Sequence, residues 1–361
     1  MKIAFLGDIA LFGKYSLEYN DALLQNLNSI SEYLKGFNFV IGNLESPFSL
    51  KRKSYGAKSA FLYSAPQNIE VLKHLNIYGV NLANNHMFDY GEEGYELTIK
   101  ELGKAGIKYF GSDGKNMKIE LDGSRLLFNG FCCYSTNPVG MATEFGEHGL
   151  NPFNVCQVES ILSDNKDFLN IISVHAGIEH VNYPHPDNIK VARKFAEIVP
   201  YVYYGHHPHV IQGTEKVKGS IIAYSLGNFC FDDNYWGLPS RPINSLSKNN
   251  RTGMILELDI ENNKVENVKQ TEIYISPNGI IEVLADNVSL KQYDEGLQTA
   301  LERESEYRTD RNKVIYERIK SRKKLRNIVW YLKRLRPRYI KLFLQNKSNN
   351  RLVVENFKQF V

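Results

Sequence analysis

The sequence has few of the features that anchor or cross-link a chain. Its four cysteines include the adjacent pair Cys132 and Cys133, and their spacing offers neither a disulfide framework nor a C-x-x-C metal site. It has no run of 18 apolar residues that could cross a membrane. The apolar run at the start of the chain ends at Gly7, too early for the core of a signal peptide. We therefore predict a cytoplasmic protein with reduced thiols.

What is present is the composition of a globular protein with an uneven charge. Hydrophobic residues make up 43% of the chain and charged residues 23%, and 22 Tyr and 19 Phe supply aromatic area for a core. From Leu301 onwards the chain has 18 basic and 6 acidic residues, against 44 and 40 in the whole chain. The sequence therefore predicts an acidic body followed by a basic tail.

Up to about residue 285 the pattern predicts an α/β fold. Short runs rich in β-branched and aromatic residues alternate with segments of helical periodicity, such as 65–75 and 92–105. Strands are predicted at 2–6, 37–41, 78–82, 126–133, 169–174, 201–204, 220–225, 252–260 and 265–275. A short polar turn joins the last two, which predicts an antiparallel hairpin in a mixed sheet. We expect one layered domain over residues 1–285 and a helical extension over 286–361.

Clusters of polar residues follow five of the predicted strands. Loops at the carboxyl ends of strands in an α/β sheet lie close in space although they are distant in sequence, so we expect these clusters to share a crevice. The clusters are Gly7-Asp8, Asn43-Leu44-Glu45, Asn84-Asn85-His86 with Asp89, His175-Ala176-Gly177 and Gly205-His206-His207-Pro208-His209.

Carboxylates, an amide and imidazoles in one crevice suit a divalent transition metal, and thiolate ligands are absent from these loops. We expect one or two ions of Mn, Fe or Zn. Such a centre polarises a phosphoryl or acyl oxygen and lowers the pKa of a bound water, and two ions can clamp both oxygens of a displacement. The sequence therefore predicts metal-dependent hydrolysis.

The order of these clusters resembles that of the calcineurin-like metallophosphoesterases, and the fuller strings resemble the CapA-type proteins of poly-γ-glutamate capsule biosynthesis. The strings are Asn43–Glu45, Leu82–His86 with Asp89–Gly91, Leu102–Ile107, Gly205–Val210 and Tyr224–Phe229. The resemblance covers residues 1–232 and leaves out the basic tail. It implies a four-layer α-β-β-α sandwich of two mixed sheets flanked by helices, with the metal centre at the sheet ends.

The resemblance also implies a role for each site residue. His86 would be unligated, held by Asp89 and directed at the substrate as a general acid or phosphate contact. The implied metal ligands are Asp8, Glu45, Asn85, His175, His207 and His209. Residues implied to lie around those ligands are Asn43, His206 and Asn228.

Two positions depart from the wider superfamily. Its phosphoesterases have Asp-x-His at the first strand, where this chain has Ala10 two residues after Asp8. They also have an aspartate at the second strand, where this chain has Asn43, so a bridging role would fall to Glu45. These departures favour an alternative in which the protein is a non-catalytic subunit that binds a metal or a polymer.

Simpler interpretations stay open for single residues. Asp8 could cap the segment that follows its strand, and Asn85 could occupy a left-handed turn position, as we expect for Asn84. His86 and Asp89 could be a surface pair. The string that contains Asn228 either closes a buried turn or brings that side chain to the pocket.

The predicted function combines these elements. We expect a metal-dependent, phosphoesterase-like hydrolase that acts on an anionic polymer or a phosphoester in making a capsule or a similar surface polymer. Residues 310–347 place apolar side chains at helical intervals within dense positive charge, which is typical of an interfacial helix. They predict contact with an anionic inner membrane surface or a synthase partner, with packing on the acidic body as the alternative. Nucleic-acid binding is not expected, because no base-stacking motif accompanies the charge.

Overall fold

The computed structural model shows alternating strands and helices over residues 1–51, 54, 58, 60–141, 149–235, 242–286, 288–324 and 337–357, which are the residues it describes. The strands are β1 (Lys2–Ile9), β2 (Phe39–Leu44), β3 (Ile77–Asn81), β4 (Lys108–Phe110), β5 (Met117–Leu121), β6 (Ser124–Cys132), β7 (Leu169–His175), β8 (Tyr201–His206), β9 (Thr214–Val217), β10 (Ser220–Ala223), β11 (Asn228–Cys230), β12 (Asn234–Tyr235), β13 (Pro242–Asn244), β14 (Thr252–Glu261), β15 (Lys264–Ile275) and β16 (Ile281–Val283). The α-helices are α1 (Leu23–Asn26), α2 (Asn28–Leu34), α3 (Ile69–His74), α4 (Gly91–Lys104), α5 (Val155–Asp164), α6 (Pro186–Phe195), α7 (Lys248–Arg251), α8 (Val288–Glu302), α9 (Glu304–Lys324) and α10 (Pro337–Phe357).

Most of the strands form two mixed sheets. The first sheet has the order β16-β15-β14-β1-β2-β3-β4, with β11 beside the end of β1, and its strands β1 to β4 are parallel. The second sheet has the order β5-β6-β7-β8-β10-β9, and β6, β7, β8 and β10 are parallel. Parallel strands share one direction, so their carboxyl ends collect at one edge of each sheet.

The predicted hairpin between β14 and β15 is confirmed. Glu261 pairs with Lys264, and the two residues between them have φ angles of 50° and 62°. Both are asparagines, Asn262 and Asn263, which tolerate this left-handed backbone better than most side chains. The turn therefore belongs to the antiparallel part of the sheet, where β14 also pairs with β1 and β15 with β16.

The two sheets pack face to face, and helices cover their outer faces. Phe5 of β1 lies 4.8 Å from Tyr204 of β8 between ring centroids, within a core of buried residues from both sheets. A second core lies between the first sheet and helices α1 to α4, and a third between the second sheet and helices α5 and α6. The predicted four-layer α-β-β-α sandwich is therefore confirmed.

Helices of the C-terminal extension pack on this body. In α8, Asp294 accepts hydrogen bonds from the backbone of Thr214 at 2.6 Å and from Gln270 at 3.0 Å. In α9, the buried Tyr307 donates to the carbonyl of Pro184 at 2.9 Å. The ring of Phe357 in α10 lies 6.3 Å from that of Phe153. The middle of the predicted basic helix, residues 325–336, lies outside the described residues.

None of the described helices combines the length and the apolar character that a membrane-spanning segment needs.

Strand β1 passes very close to the backbone of Gly227. A Cβ atom at Gly7 would lie 2.1 Å from the carbonyl oxygen of Gly227, and that oxygen accepts a hydrogen bond from the backbone of Asp8 at 2.9 Å. We expect Gly7→Ala to lower the free energy of unfolding by about 1–3 kcal/mol, because the crowded atom is backbone and cannot turn away. Urea denaturation of the purified variant measures the change.

The matched control for Gly7→Ala is Gly103→Ala in α4. A Cβ atom there meets nothing within 4 Å. Alanine is the better helix former, so this variant should gain about 0.5–1 kcal/mol. Equal unfolding free energies for the two variants would show that β1 does not approach Gly227 this closely.

Candidate metal centre

The predicted metal ligands lie where the carboxyl ends of the two sheets meet. Asp8 is in β1, Glu45 follows β2 and Asn85 follows β3, all in the first sheet. The second sheet contributes His175 at the end of β7 and the loop after β8, which carries His207 and His209. Each of these side chains is buried. The structure therefore brings together residues that are up to 201 positions apart in the sequence.

One group of donor atoms is formed by Asp8, Glu45 and His209. A ligand atom from each lies within 4.8 Å of the others. His209 Nδ1 is 3.2 Å from Asp8 Oδ2, and His209 Nε2 is 3.6 Å from Glu45 Oε1. Two carboxylates and an imidazole at these distances are a donor set that suits a divalent transition metal.

A second group of donor atoms lies on the other side of Glu45. His175 Nε2 is 3.9 Å from Glu45 Oε1 and 3.0 Å from Asn85 Oδ1. The ring of His207 lies 4.9 Å from that of His175 between centroids. The same oxygen of Glu45 therefore lies within 4 Å of a histidine from each group, as a bridging carboxylate would.

The carboxylate of Glu45 is the clearest sign that this cluster holds a cation. Both of its oxygens are buried, and neither has a hydrogen-bond partner among the described residues. Burial raises the pKa of Glu45 well above its usual range, and the nearby charges of His209 and Lys58 offset this effect only in part. A buried carboxylate without a donor is strongly disfavoured, and a metal ion supplies the missing positive charge. The residues present therefore fit a metal ion.

The other ionisable groups have the protonation states that ligands need. Burial alone would raise the pKa of Asp8, but the imidazoles of His206 and His209 beside it outweigh that effect and hold the pKa well below the usual range. Burial lowers the pKa of His175 well below its usual range and that of His207 to about 3. Asp8 is therefore ionised and both imidazoles are neutral at pH 7, as metal ligation requires.

His209 differs from the other two histidines. Burial lowers its pKa, but the charges of Glu45 and Asp8 outweigh that effect and raise the pKa to about 10. In the metal-free protein His209 is thus protonated at pH 7, beside the ionised Asp8. A metal ion that binds there would displace this proton.

The three residues implied to surround the ligands each contact one of them. Asn43 donates from Nδ2 to Asp8 Oδ1 at 2.9 Å, and His206 Nδ1 lies 2.9 Å from the same oxygen. Asn228 Oδ1 is 2.9 Å from His209 Nδ1. Such outer contacts orient ligands and tune their basicity.

The loop that carries the ligands after β8 has an unusual backbone. His207 has a φ angle of 94° and His209 one of 55°, with Pro208 between them. Non-glycine residues in this region are strained by about 1–3 kcal/mol each, and such strain is found mainly at functional sites. The backbone of His207 also donates to Asp8 Oδ2 at 3.4 Å, which ties the loop to β1.

The predicted pair of His86 and Asp89 is present and buried. His86 Nδ1 donates to Asp89 Oδ2 at 2.7 Å, and Asp89 also accepts from the backbone of Leu62 at 2.7 Å. No hydrogen bond among the described residues engages His86 Nε2, and its side chain is 11% exposed. Asp89 therefore fixes the ring and leaves Nε2 available to a substrate.

Lys58 is a member of this cluster that sequence reasoning missed. Its side chain is 5% exposed, and Nζ lies 2.6 Å from Asp89 Oδ1 and 3.1 Å from His86 Nδ1. It also donates to the backbone carbonyl of Asn85. Burial, and next the charge of Lys58, lower the pKa of His86. Nothing in the spacing of Lys58 distinguishes it from exposed neighbours such as Lys51, so only the folded loop identifies it.

The side chains of Asn84 and Asn250 form hydrogen bonds with the backbone of loops that carry site residues. Asn84 donates to the carbonyl of Leu44 at 2.8 Å and accepts from the backbone of His86 at 3.1 Å. It therefore holds the loop through its side chain, whereas the left-handed backbone expected for it is not found. Asn250, which the sequence did not single out, donates to the carbonyl of His209 at 2.9 Å. Ala10, where the wider superfamily has histidine, packs in an apolar cluster with Leu62 and Phe231 and offers no ligand.

Comparisons with known proteins give consistent results. The family model described as "Bacterial capsule synthesis protein PGA_cap" matches residues 2–233. The capsule biosynthesis protein CapA of Bacillus anthracis is 32% identical in an alignment of 220 residues that covers 57% of this chain. The PGA biosynthesis protein CapA of Bacillus subtilis is 30% identical in an alignment of 250 residues that covers 65% of this chain. The matched regions span 53% and 64% of these two relatives.

Among solved structures, the 5'-nucleotidase of Candida albicans is similar over 88% of this chain and 58% of its own, with 14% identity and a TM-score of 0.39.

Proposed function

Because the chain belongs to the bacterial capsule synthesis protein family PGA_cap, we propose that it is a metal-dependent hydrolase that acts in making or processing a capsule or a poly-γ-glutamate-type surface polymer. The observation that carries the proposal is the Glu45 carboxylate, buried without a hydrogen-bond partner among the described residues and flanked by two groups of donor atoms. A cluster built only for stability would pair this charge with a donor.

The metal would be held by the six predicted ligands, with Glu45 between the two groups. When bound, one or two ions of Mn, Fe or Zn would polarise the scissile phosphoryl or acyl group and activate water. The ligands are Asp8, Glu45, Asn85, His175, His207 and His209.

His86 would transfer a proton to the leaving group of the substrate. Its Nδ1 is engaged by Asp89, so proton exchange with a substrate takes place at Nε2. Burial and the charge of Lys58 keep the imidazole neutral in the free protein. An anionic substrate at Nε2 would favour the protonated form, and His86 would then give this proton to the leaving group. Lys58 holds the backbone of Asn85 and the carboxylate of Asp89, so it positions a ligand and the proton donor together.

The experiment that tests the proposal is an assay of the purified full chain after reconstitution with Mn, Fe, Zn, Co or Mg. Substrates are p-nitrophenyl phosphate, bis(p-nitrophenyl) phosphate and γ-glutamyl-p-nitroanilide, with Asp8→Asn as the control. Turnover that requires a transition metal and is lost in Asp8→Asn supports the proposal. A protein that binds metal but turns over none of these classes would favour the non-catalytic alternative.

That alternative has one observation in its favour. Ala10 packs against Leu62 and Phe231, so the position that supplies an imidazole in the wider superfamily is apolar here. The protein would then bind a metal or an anionic polymer through the same loops without hydrolysing it.

We further propose that the basic extension contacts an anionic membrane surface. Helix α10 exposes an apolar patch one turn long, made of Ile340, Phe343 and Leu344, which we call the α10 patch. Lys341 and Lys347 are exposed on the same helix. Each basic side chain near an anionic bilayer contributes about 1 kcal/mol to binding.

Replacing the three residues of the α10 patch with serine should weaken binding to phosphatidylserine-containing vesicles by at least about tenfold, because apolar insertion and charge act together at a membrane surface. Cosedimentation at low and high salt measures this. The matched control replaces three exposed apolar residues of the body, Tyr19, Leu50 and Val283, with serine. Equal binding by both triple variants, or binding to neutral vesicles, would remove the membrane role.

A further inference from the structure

A cavity of about 340 Å³ lies between the body and the C-terminal extension, outside the metal cluster. Its walls come from the loop that follows His175, from α7, from α8 and from α9. The volume is within the range of small-molecule sites, about 300–1,000 Å³. The side chains that decide its chemistry are Asn182, Tyr183, Asn249, Gln292, Tyr293 and Tyr307.

The lining is polar but uncharged. It contains three carboxamides and three tyrosines, and among the described residues no Asp, Glu, Lys or Arg lines it. Burial raises the pKa of Tyr183, Tyr293 and Tyr307, so their phenols stay neutral. A carboxylate or phosphate in this cavity would find no cationic side chain in the lining, which makes an anionic ligand less favourable than a neutral one.

Carboxamides and tyrosines together suit a particular ligand chemistry. A carboxamide donates and accepts at once, and so does a hydroxyl group, so Asn182, Asn249 and Gln292 can each pair with a hydroxyl in either sense. The rings of Tyr183 and Tyr307 lie 5.4 Å apart at a steep angle, and tyrosine rings offer apolar faces to the CH groups of a sugar. We propose that this cavity binds an uncharged saccharide unit.

A glycine keeps the cavity open. Gly296 lines it from the middle of α8, and a Cβ atom there would meet nothing within 4 Å. Glycine is less favourable than alanine inside a helix, so the residue weakens α8 while it leaves room in the cavity. Gly213 of the body packs against α8, and a Cβ atom there would be 2.4 Å from the backbone of Tyr293. The helix is therefore packed tightly against the body and open toward the cavity.

Most of the cavity wall lies beyond the residues that the family model matches, and the cavity adjoins the metal cluster. The family match ends at residue 233, whereas the walls from α7, α8 and α9 come from residues 249–307. Asn249 lines the cavity, and its neighbour Asn250 donates to the carbonyl of His209 and contacts His180 Nδ1 at 2.7 Å. A bound saccharide would thus lie beside the loop that carries His209.

The test measures binding of N,N′,N″,N‴-tetraacetylchitotetraose, maltotetraose and a γ-glutamyl tetramer to the full chain by calorimetry. Gly296→Trp fills the cavity, and Gly296→Ala is the matched control that keeps it open. We expect an uncharged tetrasaccharide to bind the wild type and Gly296→Ala with dissociation constants within about twofold of each other, and Gly296→Trp at least about tenfold more weakly, because contacts with several lining groups are lost.

A second variant tests the proposal independently of whether Gly296→Trp folds. Asn249 and Gln292 are exposed at the rim, so Asn249→Ala with Gln292→Ala removes two hydrogen-bonding groups without disturbing a core. It should weaken saccharide binding at least about fivefold. Measurements on Asp8→Asn and in the presence of a chelator separate this site from the metal centre, because saccharide binding should persist in both. No binding of either tetrasaccharide, equal binding by all variants, or preferred binding of the γ-glutamyl tetramer would overturn the proposal.

Discussion

Glu45→Gln is expected to abolish tight binding of a divalent transition metal while the protein stays folded. The substitution keeps the size of the side chain and removes the charge that lies between the two groups of donor atoms. Loss of an outer partner of a metal ligand lowers affinity about 10- to 100-fold, and the loss of this central carboxylate should exceed about 100-fold. Metal content after reconstitution and dialysis, together with competition against a chelator, measures the effect.

Thermal unfolding of the metal-free protein gives the same prediction a second readout. Glu45 carries a buried carboxylate with no hydrogen-bond partner among the described residues, so the neutral glutamine should leave the metal-free fold at least as stable. Glu272→Gln is the matched control, because Glu272 is also buried at 4% exposure but lies in β15, away from the ligands. A Glu45→Gln protein that retains wild-type metal content would show that Glu45 is not a ligand.

His86→Ala is expected to lower turnover about 10²- to 10⁴-fold without loss of metal, because general acid–base groups typically contribute that factor. The reason is that the neighbouring residues Asn85 and His86 have different roles. Asn85 Oδ1 lies 3.0 Å from His175 Nε2 among the donor atoms, whereas His86 Nδ1 is bonded to Asp89. Steady-state rates with the best substrate of the panel, and metal analysis of the same sample, measure the two effects.

His74→Ala is the control for His86→Ala. His74 ends α3, before strand β3 begins, and the site lies beyond the other end of that strand. This variant should keep both metal and turnover. If His86→Ala lost metal in the same proportion as activity, His86 and not Asn85 would be the ligand, and the proton transfer would need another donor.

Most of the fold could be predicted because local sequence patterns indicate where its strands and helices lie. All nine predicted strands are present, since central strands such as β1 and β7 are buried on both faces and are therefore rich in apolar and β-branched residues. The strands that were missed are short or lie at sheet edges. β4 and β11 have three residues each, and β5 alternates buried and exposed positions over only five. Such short segments carry too little periodic signal to stand out.

The candidate site was accessible from sequence for a similar reason. Its predicted ligands lie at or just beyond the carboxyl ends of strands, and parallel strands bring those ends together whatever the details of packing. Asp8, Glu45 and the loop of His207 and His209 therefore converge as the strand order alone would suggest. That they bind metal stays a prediction until an ion is measured.

What only the tertiary structure decided is the environment of each charge. Lys58 forms an ion pair with Asp89, although its surrounding sequence predicts neither a strand nor a helix. Asn250 donates a hydrogen bond to the carbonyl of His209, which lies 41 residues earlier in the chain. The sequence shows which residue types follow a strand, because strand formation depends on residues that are close together in the chain. Whether a carboxylate such as Glu45 is left without a donor depends on every side chain packed around it, so that property exists only in the folded protein.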